Sequence, residues 1–207
     1  MTRIVLFVLM LLVPLELEAT GNGSRSVQHL WLSCEFNERV NQYVDLHHAV
    51  AASFGPEIVS ANPADLFARK HAFATAMRAA RPGAGEGSIF TPEVASFFRA
   101  RIAQAIRETG FDLASALQES AVELEEETSE EPLPIEVNGE FPWHAGAVMW
   151  PSILWKLPPL PPEVEYRFIA GDLVLIDLRA ALVVDILRAA LPAHELAPIT
   201  PIVSGED

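Results

Sequence analysis

Three histidines carry most of the ligand chemistry in this sequence. His47 and His48 are adjacent, Asp45 stands two residues before them, and His71 follows further along. Imidazole suits nickel, copper or zinc, so His47, His48 and His71 are the metal-ligand candidates. Spacing works against a shared ion. Neighbouring side chains on a helix point about 100° apart, and the sequence has no His-Glu-x-x-His to bring two rings to one face. His47 also falls on an apolar stripe, where a hydrogen-bonded core histidine is the ordinary explanation. The acids of interest are Asp172, Asp177 and Asp185. Glycosidases need two carboxylates about 5–9 Å apart in a cleft. Asp172 and Asp177, however, lie beside turns, where Asp accepts main-chain hydrogen bonds. Asp185, between Val184 and Ile186, is expected to face water or to pair with Arg167 on a neighbouring strand.

Other chemistries find no motif. The sequence has no Gly-x-Ser-x-Gly elbow. Gly83-Ala84-Gly85-Glu86-Gly87 has neither a strand before it nor a Lys-Ser/Thr after it, so it fails the context of a phosphate loop. Cys34, the only cysteine, lacks a papain-like setting and forms no intrachain disulfide. At the head of an apolar helix it is expected to be buried. No catalytic residue and no cofactor is assigned. Trp143, Trp150 and Trp155 lie in a segment with eight prolines between Pro132 and Pro162. They are the partner-binding candidates, because exposed aromatics mark binding surfaces; the competing expectation is that they pack.

The elements that must position these groups follow from periodicity. Phe36, Val40, Tyr43, His47, Val50 and Phe54 make one stripe of a helix from about Ser33 to Ser53, closed by Gly55-Pro56, with Asn22–Ser26 expected to be disordered. A second helix starts with Asn62 as N-cap and Pro63 at N1, burying Leu66, Phe73, Met77 and Ala80. Arg81–Ser88 reads as a flexible loop. A third helix repeats the start with Thr91 and Pro92 and buries Val94, Phe97, Phe98, Ile102, Ala105 and Ile106 before Gly110. Asp112 can cap a fourth, with Leu113, Leu117, Ala121 and Leu124 on one side, fading into the acid run Glu123–Glu131. That run lacks the spacing of a calcium loop and reads as a solvated helix end. In the proline-rich segment Asn138-Gly139 can turn a hairpin between Ile135–Val137 and Phe141, and Pro151 can open a short helix to Lys156.

From Glu163 the period changes to two. Val164, Tyr166 and Phe168 alternate with Glu163, Glu165 and Arg167. Leu173–Ile176 is apolar throughout, as in a strand covered on both faces, and Leu182–Leu187 makes a third strand. Residues 179–188 also fit helical spacing through Leu178, Leu182 and Ala189; the strand reading is adopted.

The pattern Leu-Pro-Pro-Leu-Pro-x-x-Val-Glu-Tyr-Arg-Phe, Asp-Leu-Val-Leu-x-Asp, Leu-Val-Val-Asp, with Ser88-Ile89-Phe90-Thr91-Pro92-Glu93-Val94-Ala95 upstream, resembles a group of exported bacterial proteins of unassigned function. The three-strand portion is also loosely similar to the hairpin of periplasmic nickel/cobalt-homeostasis proteins. Neither resemblance implies a catalytic residue.

Composition sets the address. Arg3, the twelve apolar residues Ile4–Leu15 and the small residues Ala19 and Gly21 read as a secretory leader. Twelve residues reach about 18 Å as a helix, short of a bilayer's hydrocarbon core. The expectation is therefore an exported protein, periplasmic or extracellular, with no membrane association after cleavage. With 28 acids against 14 bases, net charge −14, nucleic acid is excluded as a phosphate-binding partner. Half the residues are hydrophobic, enough for a packed core.

The expected fold is α+β. A leader occupies 1–21, three to four antiparallel helices 22–131, a proline- and Trp-rich arm 132–162, a three-stranded antiparallel meander 163–191 packed on the helices, and an extended tail 192–207. Three functions are open. The first is a non-catalytic envelope protein that binds another protein or a cell-wall component. The second is a periplasmic metal-binding or metal-responsive protein, and the third a hydrolase with a fold-assembled site. The ligand and the oligomeric state are not set by the sequence.

Overall fold

The computed structural model describes residues 21–55, 62–110, 135–143, 150–169 and 171–191. The expected leader (but for Gly21), the fourth helix with its acid run, and the tail lie outside the described residues. Helix α1 runs Gly21–Phe54, α2 Pro63–Ala80, α3 Pro92–Thr109 and a one-turn α4 Pro151–Leu154. Strands β1 Val164–Ile169, β2 Asp172–Asp177 and β3 Leu182–Leu187 follow. The sheet is an antiparallel meander in the order β1-β2-β3. The class is α+β as expected, and residues 182–187 are strand, not helix.

The helix ends obey local chemistry. Asn62 accepts from the Ala64 amide and Thr91 from the Val94 amide, each ahead of a proline. Gly110 closes α3 in the left-handed conformation, φ 61°, which costs glycine nothing. All six expected core positions of α3 are buried, whereas α2 buries only Phe73, Ala74 and Met77. Leu66 and Ala80 are exposed, a correction. Leu66 and Phe67 precede the stretch that meets α1, because Phe73 already packs on Phe54 near the C-terminal end of α1.

Helix α1 also starts earlier than expected. Residues 22–26 are its first turns, not a disordered segment. Its core contacts begin at Leu32 and run through Phe36, Val40, Tyr43, Val44 and His47. Cys34 is exposed, contrary to the expected burial. It sits two residues before Phe36, about 200° around the helix, and so faces away from the core.

Both faces of the sheet are covered. Val164, Tyr166, Phe168, Leu173, Leu175, Leu182, Val184 and Leu187 pack against the helices. Ile169, Val174, Ile176, Val183 and Ile186 pack with Phe141, Ile135 and Val137 of the arm. That explains the unbroken apolar run of β2. A bulge in β3 makes both sets possible. Leu175 pairs with Asp185 but Ile176 pairs with Val183, so Val184 is an extra residue and the alternation resets there.

The arm docks along β3 instead of forming its own hairpin. Asn138 N–H donates to Val183 O (2.8 Å), Phe141 N–H to Ala181 O (2.8 Å), and Val183 N–H to Gly139 O (3.0 Å). A turn is present, with Gly139 N–H on Glu136 O, but Phe141 pairs with the sheet and not with Ile135–Val137. Asn138 holds a left-handed φ of 64°, a conformation in which Asn is enriched.

Candidate functional site

The densest polar chemistry lies where the second half of α1 crosses the end of β2. Tyr43 and His47, one turn apart on the buried stripe, both reach Asp177. The Tyr43 hydroxyl donates to Oδ2 at 2.6 Å, His47 Nδ1 lies 2.7 Å from the same oxygen, and the Ala180 amide donates to Oδ1 at 2.7 Å. Asp177 has no exposed surface and His47 is 4% exposed. Burial alone would raise the Asp177 pKa. The hydrogen bonds from His47, the Ala180 amide and Tyr43 outweigh it and hold the carboxyl below its usual range. Asp177 is therefore a carboxylate and His47 Nδ1 carries the proton it receives. Burial, with the Asp177 charge beside it, pushes the Tyr43 phenol far above its ordinary value, so it stays a neutral donor.

Cations and rings close the cluster. Arg81 lies over the Tyr43 ring at 4.8 Å and Arg179 over the Phe73 ring at 4.4 Å. Phe73 meets the His47 ring edge-on at 5.1 Å. The Arg81 guanidinium also donates to Asn138 Oδ1 (2.9 Å) and Val184 O (3.0 Å), while Arg78 Nε donates to Asn138 O (2.8 Å). Burial lowers the Arg81 pKa, and Tyr43, Asp185 and Asp177 oppose that shift. One residue thus joins α2, the arm and β3 to the cluster.

A second histidine–carboxylate pair stands beside the first. His48 Nε2 lies 2.7 Å from Glu163 Oε1. Val164 pairs with Asp177 across the hairpin, so Glu163 and Asp177 end adjacent strands at the same edge. The Glu163 carboxyl sits below its usual range. Burial acts to raise it, and the hydrogen bond from His48 leads the opposing contributions. Its Oε2 is buried without a hydrogen-bond partner.

The other sequence candidates fall elsewhere. His71 and Asp45 are exposed, and His71 does not join His47 and His48. The His47 and His48 rings are 5.8 Å apart and nearly perpendicular, and each is committed to its own carboxylate. Among the described residues no three His, Cys, Asp or Glu converge on a metal position. Trp150 packs on Phe168 at 4.9 Å and is buried. Trp143 is half-exposed against Phe141, with Lys70 6.0 Å from its ring, and Trp155 is 88% exposed.

Asp177 accepts the expected hydrogen bond within its own turn, from the Ala180 amide, whereas Asp172 accepts from the amide of Ala189, 17 residues on and beyond β3. Asp185 departs from expectation. It neither faces water nor meets Arg167, since β1 and β3 are not neighbours. It is fully buried and accepts from the amides of Gly87 (2.9 Å), Ile89 (2.6 Å) and Phe90 (2.7 Å). The segment expected to be a flexible loop is therefore pinned by a carboxylate across the fold. The sequence marks Tyr43 only as a stripe residue, Asn138 only as a turn residue, and neither Glu163 nor Arg81 as part of a site. The one signal was Tyr43 and His47 four apart on an apolar stripe, two polar tips that demand a shared partner.

Chemically, His47 with Nδ1–H on a carboxylate is the arrangement of an oriented general base. Among the described residues no hydroxyl or thiol is hydrogen-bonded to its ring; the nearby Tyr43 hydroxyl donates to Asp177. An open cleft of about 550 Å³ lies elsewhere, between Phe90, Ala95, Ser96 and Arg99 on one side and Leu187 and Arg188 on the other. Its guanidinia are engaged, Arg99 with the carbonyls of Arg188 and Ala189, and Arg188 with Glu86 and Asp172. No helix among the described residues is long and apolar enough to cross a membrane. Comparison with protein-family models, curated proteins and solved structures finds no match to this chain.

Proposed function

We propose that this is an exported, non-catalytic envelope protein that binds another protein or a cell-wall component through an aromatic surface formed by the first turns of α2 and the arm. The observation that carries the reading is the contrast between closed polar chemistry and open aromatic surface. Asp177 and Asp185 spend their oxygens on internal donors. Phe67 is 71% exposed and Leu66 and Trp143 nearly half. Lys70, one turn after Phe67 and Leu66, lies over Trp143, which places the three apolar side chains on one side of the protein. Exposed apolar groups gathered with a polar rim are what partner surfaces look like. Export rests on Arg3, Ile4–Leu15 and the small residues at Ala19 and Gly21.

The test has two parts. The chain expressed with its leader is recovered from the periplasm and its mass measured; a product beginning near residue 20 is expected, and an uncut chain held in the cytoplasm would contradict export. A photo-crosslinking residue at position 67 is then exposed to envelope fractions alongside co-sedimentation with peptidoglycan sacculi. One of the two should give a specific product that Trp143→Ser removes. No crosslink and no co-sedimentation would overturn the binding reading.

A further inference from the structure

The first third of α1 shows a face that the other described residues do not cover. Val27, Leu30 and Trp31 are 67%, 68% and 63% exposed, and Cys34 is exposed beside them. Their spacing, i, i+3, i+4 and i+7, makes one continuous stripe on a helix. At about 100° per residue that stripe lies opposite Leu32, Phe36, Val40 and His47, which face the core. On the core-facing side, the His29 ring meets Phe97 at 5.5 Å, so this end of α1 is held to α3 while the stripe looks outward.

Charge singles out the same stretch. The chain carries 28 acids, yet residues 19–34 contain none and include Arg25; acids resume at Glu35 and Glu38, where the apolar stripe ends. A strongly acidic protein thus has an acid-free helix end with leucine, valine and tryptophan on its outer side. Tryptophan and aliphatic groups on one helical face, without carboxylates to desolvate, are what a bilayer interface accepts. A protein partner of a basic kind would instead select the acidic surface. The apolar run Ile4–Leu15 read as a leader precedes this same helix end and would bring it to a membrane during export.

We propose that the Val27–Leu30–Trp31–Cys34 face of α1 docks on a lipid bilayer surface. The helix does not span the bilayer; its acid-free end lies in the interfacial layer, and Glu35 and Glu38 mark where it leaves. This surface shares no residue with the aromatic surface of α2 and the arm, so either can fail alone. It revises the expectation of no membrane association after export.

The single cysteine supplies the test. The full chain is labelled at Cys34 with an environment-sensitive fluorophore and mixed with phosphatidylcholine vesicles. A Cys34→Ser chain carrying Asn41→Cys, exposed two turns further along α1, is labelled as the control. The expected result is a several-fold rise and a blue shift at position 34, none at position 41, and loss of the rise in Leu30→Asp. Leu30 is exposed, so that variant keeps its fold, which its melting curve verifies. Three results would overturn the proposal. One is no co-flotation with vesicles. Another is co-flotation with the position-34 label still in water, meaning that Ile4–Leu15 alone anchors the chain. The third is a rise without lipid that grows with protein concentration, meaning contact between copies.

Discussion

Asp177 and Asp185 are both fully buried on the same small sheet, and they solve the same problem in different ways. Asp185 takes three main-chain amides from the segment before α3, so it fixes a stretch of backbone. Asp177 takes two side-chain donors from α1 and one amide of its own turn, so it fixes a helix against a sheet end. A buried carboxylate is costly unless its oxygens are filled. Here each carboxylate takes donors from an element distant in sequence, and the desolvation cost of the charge becomes the specificity of the docking. What looks in the sequence like scattered acid chemistry is a pair of staples.

The sharpest break in that comparison comes from Asp185→Ala. Three amides of the segment before α3, and that of Ile186, lose this acceptor, and the expected loss is about 3–5 kcal/mol in urea unfolding, with faster hydrogen exchange at Gly87, Ile89 and Phe90. Tyr43→Phe removes one of the three donors to Asp177 and leaves the ring under Arg81; about 1–2 kcal/mol should be lost. His48→Ala tests the neighbouring pair, in which His48 is mostly exposed. Less than about 1 kcal/mol is expected there, and a loss equal to that of Tyr43→Phe would erase the distinction between buried staple and surface pair. Trp155→Ser, at an 88% exposed position, should change stability by no more than about 0.5 kcal/mol.

Acid and base should each weaken the Asp177 staple, through different groups. Its folded pKa is depressed, as is that of Glu163. Their contribution is complete above the unfolded carboxyl pKa, near 4, and is lost as pH falls through the folded values. The Tyr43 and Tyr166 phenols are raised. Their contribution is complete below the unfolded phenol pKa, near 10, and is lost as pH climbs above it. Unfolding free energy measured from pH 2 to 11 should therefore fall at both ends. Tyr43→Phe should flatten the alkaline limb and leave most of the acid limb.

How much of this was legible depends on how local the physics is. The α3 boundaries and core followed from Thr91, Pro92 and Gly110 with one clean apolar stripe, β1 followed from a two-residue period, and β2 from an apolar run covered on both faces. Local rules sufficed because each partner is a few residues away. Asp185 was misread because its partners are amides about a hundred positions earlier, in a glycine-bearing loop with no periodicity. The bulge at Val184, which turns Asp185 to the helix side, leaves no mark in a strand with apolar residues on both sides of Asp185. Cys34 was misread although the stripe already placed it; taking Phe36 as the reference, the helical angle alone puts the thiol outside. The Asn138-Gly139 turn was visible, but its use as a brace for β3, locked by Arg78 and Arg81, required knowing that the arm lies along the sheet edge.

The central claim is that the Tyr43–His47–Asp177 cluster is a structural clamp that ties α1 to the end of β2. The direct test is the unfolding free energy of Asp177→Asn at pH 7. A clamp predicts a loss of about 3 kcal/mol or more, because the His47 and Tyr43 donors lose their charged acceptor inside the fold. A variant as stable as the parent, or more stable, would contradict it, since strained polar groups kept for activity are the ones whose removal stabilises a protein.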